Sequence, residues 1–591
     1  MHWREYGVLV KDKLAKTLTI TFAEIATHNH FVLDRDGKVF KQTAPVIKLP
    51  AGATEDEHLG LLGLLNSSVA CFWFQQVCHN KGGPGGGSSK DEKWHDFYAF
   101  NSTKVAEFPL VTDRPVDLAR RIDNLAQRIS SISPSAVLAR AEDPTKATLQ
   151  SAREETSALH RQMVSLQEEM DWRCYSFYGL LTDRLDTSTP PEINVGERAF
   201  EIVMARRMAA GKLQTKWFEW LGIQPVTEIP SGWPAEYRTL VERRIALIES
   251  DRSIGLIESP GCKRRWERTP WHTLEQDALR EALLARLEAP ALWPATPDQP
   301  PQLTTTRRLA DAVQQHDPAF MALAALYTGH PDFDPAALVA DLVAAESVPA
   351  LPVQRYTDTG LRKRAQWQAT WALQRREDRI AAEVADNADD WRRELATQAR
   401  ERFGSDTTDA ARAWIDKALA AEIATQTAER QEAEVGRIPV PPKYQSKDFL
   451  KADFWRLRGG LDVPKERWTS YPGCERGADG SLPVAWAGWN HLQQATAVAG
   501  YFLDMKDTEG WPPERLQPLL AALDELVPWL QQWHNAIDPD FGERMGDYYA
   551  AFVRDEARAL GFTLEELRGW QPVVVAKKRG RKPKADASPI R

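Results

Sequence analysis

Between Val39 and Asn80 the hydrophobic pattern changes period. VFKQTAPVIKLP alternates like an edge strand, with Pro45 and Pro50 keeping it out of a sheet interior. A capping box follows, Thr54 accepting from the Glu57 amide while Glu57 reaches back and Asp56 adds charge at the positive helix end. Leu59, Leu61, Leu62, Leu64 and Leu65 then cover every face of a helix, which predicts burial. Asn66-Ser67-Ser68 marks a break or functional surface before the second apolar run, Val69 to Phe74. Upstream, Thr17 to Phe22 alternates as a strand, and Phe31-Val32-Leu33, Asp36-Gly37 and Val39-Phe40 read as a hairpin with a tight turn. Gly82 to Ser89 cannot hold regular structure and predicts a mobile loop beside whatever this unit binds. Residues 1–112 are therefore expected to be one α+β unit.

Helical periodicity dominates afterwards. Leu118, Ile122, Leu125, Ile129 and Ile132, then Leu149, Ala152, Thr156, Leu159, Met163, Leu166, Met170 and Phe177, keep a heptad rhythm interrupted only by Arg173. Residues 113–182 thus predict a helical hairpin or coiled-coil arm, a spacer closed by Gly179 as C-cap. A mainly helical middle region is expected over 183–352, and charged, alanine-rich long helices over 353–435, broken at Gly404-Ser405. Pro439, Pro441 and Pro442 form a linker into a tryptophan-rich domain, 436–572, and 573–591 reads as a disordered tail. The fold class expected is α+β, predominantly α-helical.

Composition narrows the class. The hydrophobic fraction of 43% and charged fraction of 27% are those of a soluble protein, without an apolar run of membrane-spanning length or a signal-peptide core at the N-terminus. Five scattered cysteines suit a reducing cytoplasm better than a disulfide frame. A net charge of −8 does not itself point to nucleic acid, so local asymmetry has to.

Three basic stretches supply it. In the tail, Lys577, Lys578, Arg579, Arg581, Lys582, Lys584 and Arg591 face one acid, Asp586; Arg579-Gly580-Arg581 resembles an AT-hook, whose arginines enter the minor groove, although Lys582 stands where that motif has proline. A basic solubilising tail explains the same letters. From Arg437 to Tyr471 eight basic residues, among them Lys447, Lys451, Arg456 and Arg458, outnumber four acids and alternate with Tyr444, Phe449, Phe454, Trp455, Trp468 and Tyr471. That mixture suits backbone contact plus stacking on an exposed or flipped base, or else a plain surface over an aromatic core. In the N-terminal unit Lys11, Lys13, Lys16, Lys38, Lys41 and Lys48 are candidates for phosphate contact. Asn29, Gln42, Asn66, Gln75 and Asn80 are candidates for reading base edges, with ordinary surface or capping roles as the alternative.

Other letter patterns carry less. His28-Asn29-His30 lacks the acidic cluster of a nuclease, and Cys71, Cys78 and His79 read better as two buried thiols than as a zinc site. Val440-Pro441-Pro442-Lys443 has no polar side chain at its first position and no aromatic ring at its last, so it offers no binding motif. The Gly82 run follows no buried strand, so it is no phosphate cradle.

The pattern PVIKLP…LLGLLNSSVACFWF resembles the target-recognition region of adenine-specific DNA methyltransferases of restriction-modification and phage-exclusion systems. With Lys11 to Lys16, Tyr444 to Leu461 and Trp486 to Gln493, nearly the whole chain is similar to the C-terminal part of the PglX family, methyltransferases of type 2 BREX phage defence. The catalytic Asn/Asp-Pro-Pro-Tyr/Phe motif and the glycine-rich S-adenosylmethionine loop of that family do not occur. The resemblance implies a recognition part that binds double-stranded DNA, needs no cofactor itself, and serves a complete enzyme that uses S-adenosylmethionine. A separate catalytic half and other BREX proteins are the implied partners. The alternative is a non-catalytic protein-interaction subunit or a truncated remnant.

Overall fold

Strand β1 (Thr19–Phe22) is the middle of a small antiparallel sheet, ordered β3-β1-β4 with β3 (Phe31–Asp34) and β4 (Val46–Ile47). Ile20 faces Leu33 on one side and Ile47 on the other, and Ile20, Phe22, Phe31 and Leu33 turn a buried face to the helix α1 (Glu55–Leu65). The computed structural model describes residues 18–40, 43–83, 92–140, 144–459, 465–477, 480–539 and 542–572, and is 61% helix and 7% strand, the predominantly helical α+β class. The chain divides into two compact units, one reaching to Ala282 and the other from Leu283 onward.

Two strand expectations need correction. β3 pairs with β1, whereas Val39 and Phe40 are irregular and Val39 is 68% exposed, so no hairpin closes at Asp36-Gly37. Among the described residues of the alternating stretch, regular strand is confined to Val46–Ile47 on the sheet edge, and the Pro45 and Thr43 carbonyls prolong the contact irregularly, accepting from the Phe22 and Glu24 N–H groups at 3.3 and 3.0 Å.

Thr54 and Glu57 form the capping box at the start of α1, and α2 (Ser68–Val77) follows after a two-residue junction. A second sheet, β2-β6-β5, joins β2 (Ile25–Ala26), β5 (His79–Gly82) and β6 (Phe97–Ala99). Helix α3 (Val116–Ser131) packs against both α1 and the 32-residue α4 (Lys146–Phe177). At Gly63 of α1 an added Cβ would stand 2.7 Å from the Pro115 ring, so glycine sets how closely α1 and the start of α3 approach.

α3 packs along α4, and α4 is more than a spacer. Residues 164–175 are buried all round, and Trp172 and Tyr175 enter a core with α5 (Ala199–Ala209), α6 (Trp217–Leu221) and α7 (Ala235–Ser250). Gly179, at φ 70°, turns the chain out of α4, and the Leu180 amide closes back on the Tyr175 carbonyl at 2.9 Å. The short helix α8 (Pro260–Lys263) brings the chain back against α2.

In the second unit, α9 (Thr306–His316) follows directly on the first strand of a four-stranded sheet. That sheet runs β7-β10-β9-β8, with β7 (Thr304–Thr305), β8 (Ser347–Pro349), β9 (Trp468–Ser470) and β10 (Pro483–Trp486). Only its β8–β9 pair is parallel. Long charged helices α10 (Asp358–Asp386), α11 (Asp389–Phe403) and α12 (Asp409–Glu434) lie between those strands in sequence, and Gly404 at φ 72° ends α11. A capping box at Asn490 and Gln493 opens α13 (His491–Leu503), which packs on α14 (Pro513–Trp533); α15 (Met545–Ala559) packs on α14 as well.

Candidate nucleic-acid interface

The LLNSS stretch is a helix junction locked from several sides. Ser67 caps α2, its Oγ accepting from the Ala70 amide at 3.2 Å while donating to the Leu64 carbonyl at 2.7 Å. The Asn66 amide pairs with both backbone groups of Phe31, accepting from its N–H and donating to its carbonyl, each at 2.9 Å. Asn29 is 1% exposed and donates to the carbonyls of Leu65 (2.6 Å) and Ser67 (3.0 Å). Asn29 and Asn66, two of the five amides considered for base reading, are thus engaged in holding the loop before β3 to the α1–α2 junction. Gln75 and Asn80 are likewise bonded internally, to the Gly261 carbonyl (2.8 Å) and to Asp96 (2.9 Å).

Below the junction lies a buried charge network. The Ser68 N–H and Oγ donate to the Asp171 carboxylate at 2.8 and 2.7 Å. Asp171 also accepts from Lys263 (3.1 Å), Arg265 (3.3 Å) and Gln167 (3.1 Å). Lys263, 1% exposed on the last turn of α8, further pairs with Glu168 (3.1 Å) and Glu258 (2.7 Å), and Tyr175 donates to Glu258 at 2.5 Å. Burial pushes both Glu168 and Asp171 upward; at Asp171 the charges of Lys263 and Arg265 and the Ser68 hydrogen bonds overcome it, so its carboxyl ends below the usual range. At Glu168 burial and the neighbouring Glu258 and Asp171 charges win over Lys263, so its carboxyl lies above the usual range. A proton on Glu168 leaves two carboxylates against two cations.

Neighbouring pairs extend this frame. Glu169 accepts from Arg244 (2.7 Å) and Tyr237 (2.9 Å); Glu201 pairs with Arg198 (2.6 Å) and accepts from the Trp217 indole (3.1 Å). Arg173, which interrupts the heptads, is held by Asp117 (2.6 Å) and Asp186 (2.8 Å). Read as a spacer arm, α4 gives these charges no inward role. The overlooked signal is that QEEMDWR, residues 167–173, puts polar groups on every side of α4, leaving no face for solvent alone. Lys263, Glu168, Asp171 and Glu258 are enclosed, whereas Asp117 at the edge of the frame is exposed, and these bonds hold the α1–α2 junction to α4 and α8.

The remaining candidates are scattered. Lys11, Lys13, Lys16, Lys41, Gln42, Lys577, Lys578, Arg579, Arg581 and Lys582 lie outside the described residues, as does the Gly82 loop beyond Gly83. Lys38 is exposed beside Asp36 at 3.0 Å. In the second unit Lys447 and Lys451 are exposed, whereas Arg456 pairs with Glu346 (3.1 Å) and Arg458 with Glu466. The rings expected to stack on a base are mostly interior: Phe449, Phe454, Trp468 and Tyr471 are buried, and Tyr444 stacks on Tyr356 at 5.2 Å. That expectation is corrected, since a ring inside a core has no free face for a base. Cys71 and Cys78 are buried free thiols.

Residues 163–583, more than half of the chain, match the family model described as "Domain of unknown function (DUF7008)". The chain belongs to the DUF7008 family. Over 587 residues, 98% of its length, it is also 41% identical to the adenine-specific methyltransferase PglX of Streptomyces coelicolor. The chain spans 44% of that protein, less than half its length. No solved structure matches it.

The DUF7008 span opens at Met163, inside α4 and immediately before the buried polar stretch. Asn29, Asn66 and Ser68 precede it; Asp171, Lys263 and Arg265 belong to it. Leu166, Met170 and Cys174 of that span enter the apolar core of the N-terminal sheets, and the junction network adds directional polar bonds between the same two parts. Such bonds fix orientation more sharply than an apolar contact of equal area.

Proposed function

We propose that this chain is the DNA-binding, target-selecting part of a site-specific adenine DNA methyltransferase of BREX phage defence, acting for methyl-transfer chemistry carried by the remainder of the enzyme. The observation that carries this reading is the 41% identity to PglX over 98% of the chain together with coverage of only 44% of that protein. In the complete enzyme S-adenosylmethionine supplies the methyl group. The rigidly held α1–α2 junction then serves to present recognition loops in a fixed register on the duplex.

The purified chain should bind duplex DNA with an affinity that falls steeply between about 50 and 200 mM salt. It should transfer no methyl group from labelled S-adenosylmethionine to DNA alone, and should gain transfer when a polypeptide carrying the methyltransferase motifs is added. Methyl transfer by the chain unaided, or indifference to DNA in dilute buffer, would overturn the reading.

A further inference from the structure

The chain is acidic overall, yet the first unit gathers exposed cations from three distant stretches. Glu92 organises the gathering. Its carboxylate accepts from the Lys216 N–H at 2.6 Å, from Thr215 Oγ1 at 3.2 Å, and from the Trp94 indole. Those bonds set Lys93 beside Lys216, and Trp94 wedges edge-on against Trp217 (5.2 Å) and beside Trp220 (4.8 Å) of α6. On the same connection, Lys212 closes the end of α5, its N–H donating to the Arg207 carbonyl at 2.8 Å after Gly211 turns at φ 68°. Lys81 stands on β5, in the sheet whose strand β6 leads directly out of the Lys93 turn.

Lys81, Lys93, Arg207, Lys212 and Lys216 are all exposed, and none has an ion-pair partner among the described residues. Glu92 accepts from the donors named above, Asp96 is 1% exposed beneath Asn80, exposed Glu267 is paired with Arg264 (2.8 Å) over the Trp94 and Trp220 rings, and Glu219 is the exposed acid of α6. Evolved surfaces usually intersperse the two signs. A group of unpaired cations that outnumbers the exposed acids beside it, fixed by buried Trp94 and Trp217 and by the Glu92 carboxylate on the Lys216 N–H, has the rigidity needed to match a regular array of phosphates.

We infer that Lys81, Lys93, Arg207, Lys212 and Lys216 form a contact surface for the DNA phosphate backbone, so that the first part of the DUF7008 domain shares the duplex with the N-terminal sheets. This rests on the proposed DNA-binding role and adds a place for it. The residues are neutral to sequence choice; they position the duplex while other groups read it.

The test titrates fluorescent duplex DNA into the full chain over a salt series. The variant Lys93→Gln, Lys212→Gln, Lys216→Gln should weaken binding at least about tenfold near 100 mM salt and make the slope of log affinity against log salt shallower by about 0.9 for each phosphate no longer neutralised. A control with equal charge removed from the second unit, Arg379→Gln, Arg412→Gln, Lys417→Gln, should leave the slope near that of the unaltered chain. Since all six side chains are exposed, thermal melting should be unchanged in both variants. If the unaltered chain binds DNA and the lysine variant matches it, or the control weakens as much, the surface is wrongly placed while the DNA-binding role stands. If the unaltered chain shows no salt-dependent binding, that role itself fails.

Discussion

At Lys263 one ammonium faces three carboxyl groups, those of Glu168, Asp171 and Glu258, in an enclosed space, and its polar partners are these groups. Methionine there keeps the volume but leaves Glu258 without this counter-charge and Asp171 with Arg265 alone. Lys263→Met should therefore cost about 3–5 kcal/mol in urea unfolding, the range for breaking one side of a buried pair. A cost under about 1 kcal/mol would mean that water reaches the network. His160 makes a different prediction. It is 8% exposed, its ring edge-on to Trp266 at 5.1 Å, and burial, followed by the charges of Arg268 and Arg198, lowers its pKa to about 3. The unfolded chain takes up that proton below the ordinary value of 6.5, while the folded chain stays neutral until about 3. Stability is thus fully present above 6.5 and is lost progressively as pH falls toward 3, by up to about 1.4 kcal/mol per pH unit. His28 acts in the same direction, also lowered to about 3, chiefly by burial. The urea midpoint should drop from pH 7 to pH 5, and His160→Gln should reduce that drop.

Between elements, the approach of α1 to the start of α3 turns on Gly63. A Cβ there meets Pro115 at 2.7 Å and Ala119 at 3.2 Å, both on a backbone with little room to retreat. Gly63→Val should destabilise by about 1–3 kcal/mol through overpacking, despite valine's apolar character, and a neutral result in thermal melting would show that α3 shifts freely. The same elements show what was legible in the sequence. The Thr54–Glu57 box, the break at Asn66-Ser67 and the stop at Gly179 were readable because each is a bond or dihedral closed within a few residues. The partner of β3 was not, because β1 competes with the nearer Val39-Phe40 and wins through the Ile20–Leu33 and Phe22–Phe31 register. The candidate site fared similarly. Asn29 and Asn66 stand out for their amides, and the amides are engaged, but their acceptors and donors lie 35 or more residues away and no spacing announces them. The cations around Glu92 escape notice because their 135-residue spread, Lys81 to Lys216, never forms a basic run.

At the scale of the molecule, a chain of net charge −8 must concentrate its cations locally to hold DNA, and two such concentrations can be told apart by subtraction. One is the Lys93–Lys216 surface of the first unit. The other is residues 573–591, outside the described structure, where seven basic residues stand against one acid. Each phosphate contact releases counterions independently, so contributions to the salt slope add where sites do not share phosphates. Deleting residues 573–591 should make the slope shallower and weaken binding to all sequences, with a larger reduction on A·T-rich duplexes if Arg579 and Arg581 enter the minor groove. Combining the deletion with Lys93→Gln, Lys212→Gln, Lys216→Gln should reduce the slope by the sum of the two separate reductions. A combined effect no greater than the larger single one would place both groups on the same phosphates. A deletion that leaves slope and affinity untouched would reduce the tail to a solubilising segment, and the lysine surface would then account for the electrostatic grip on its own.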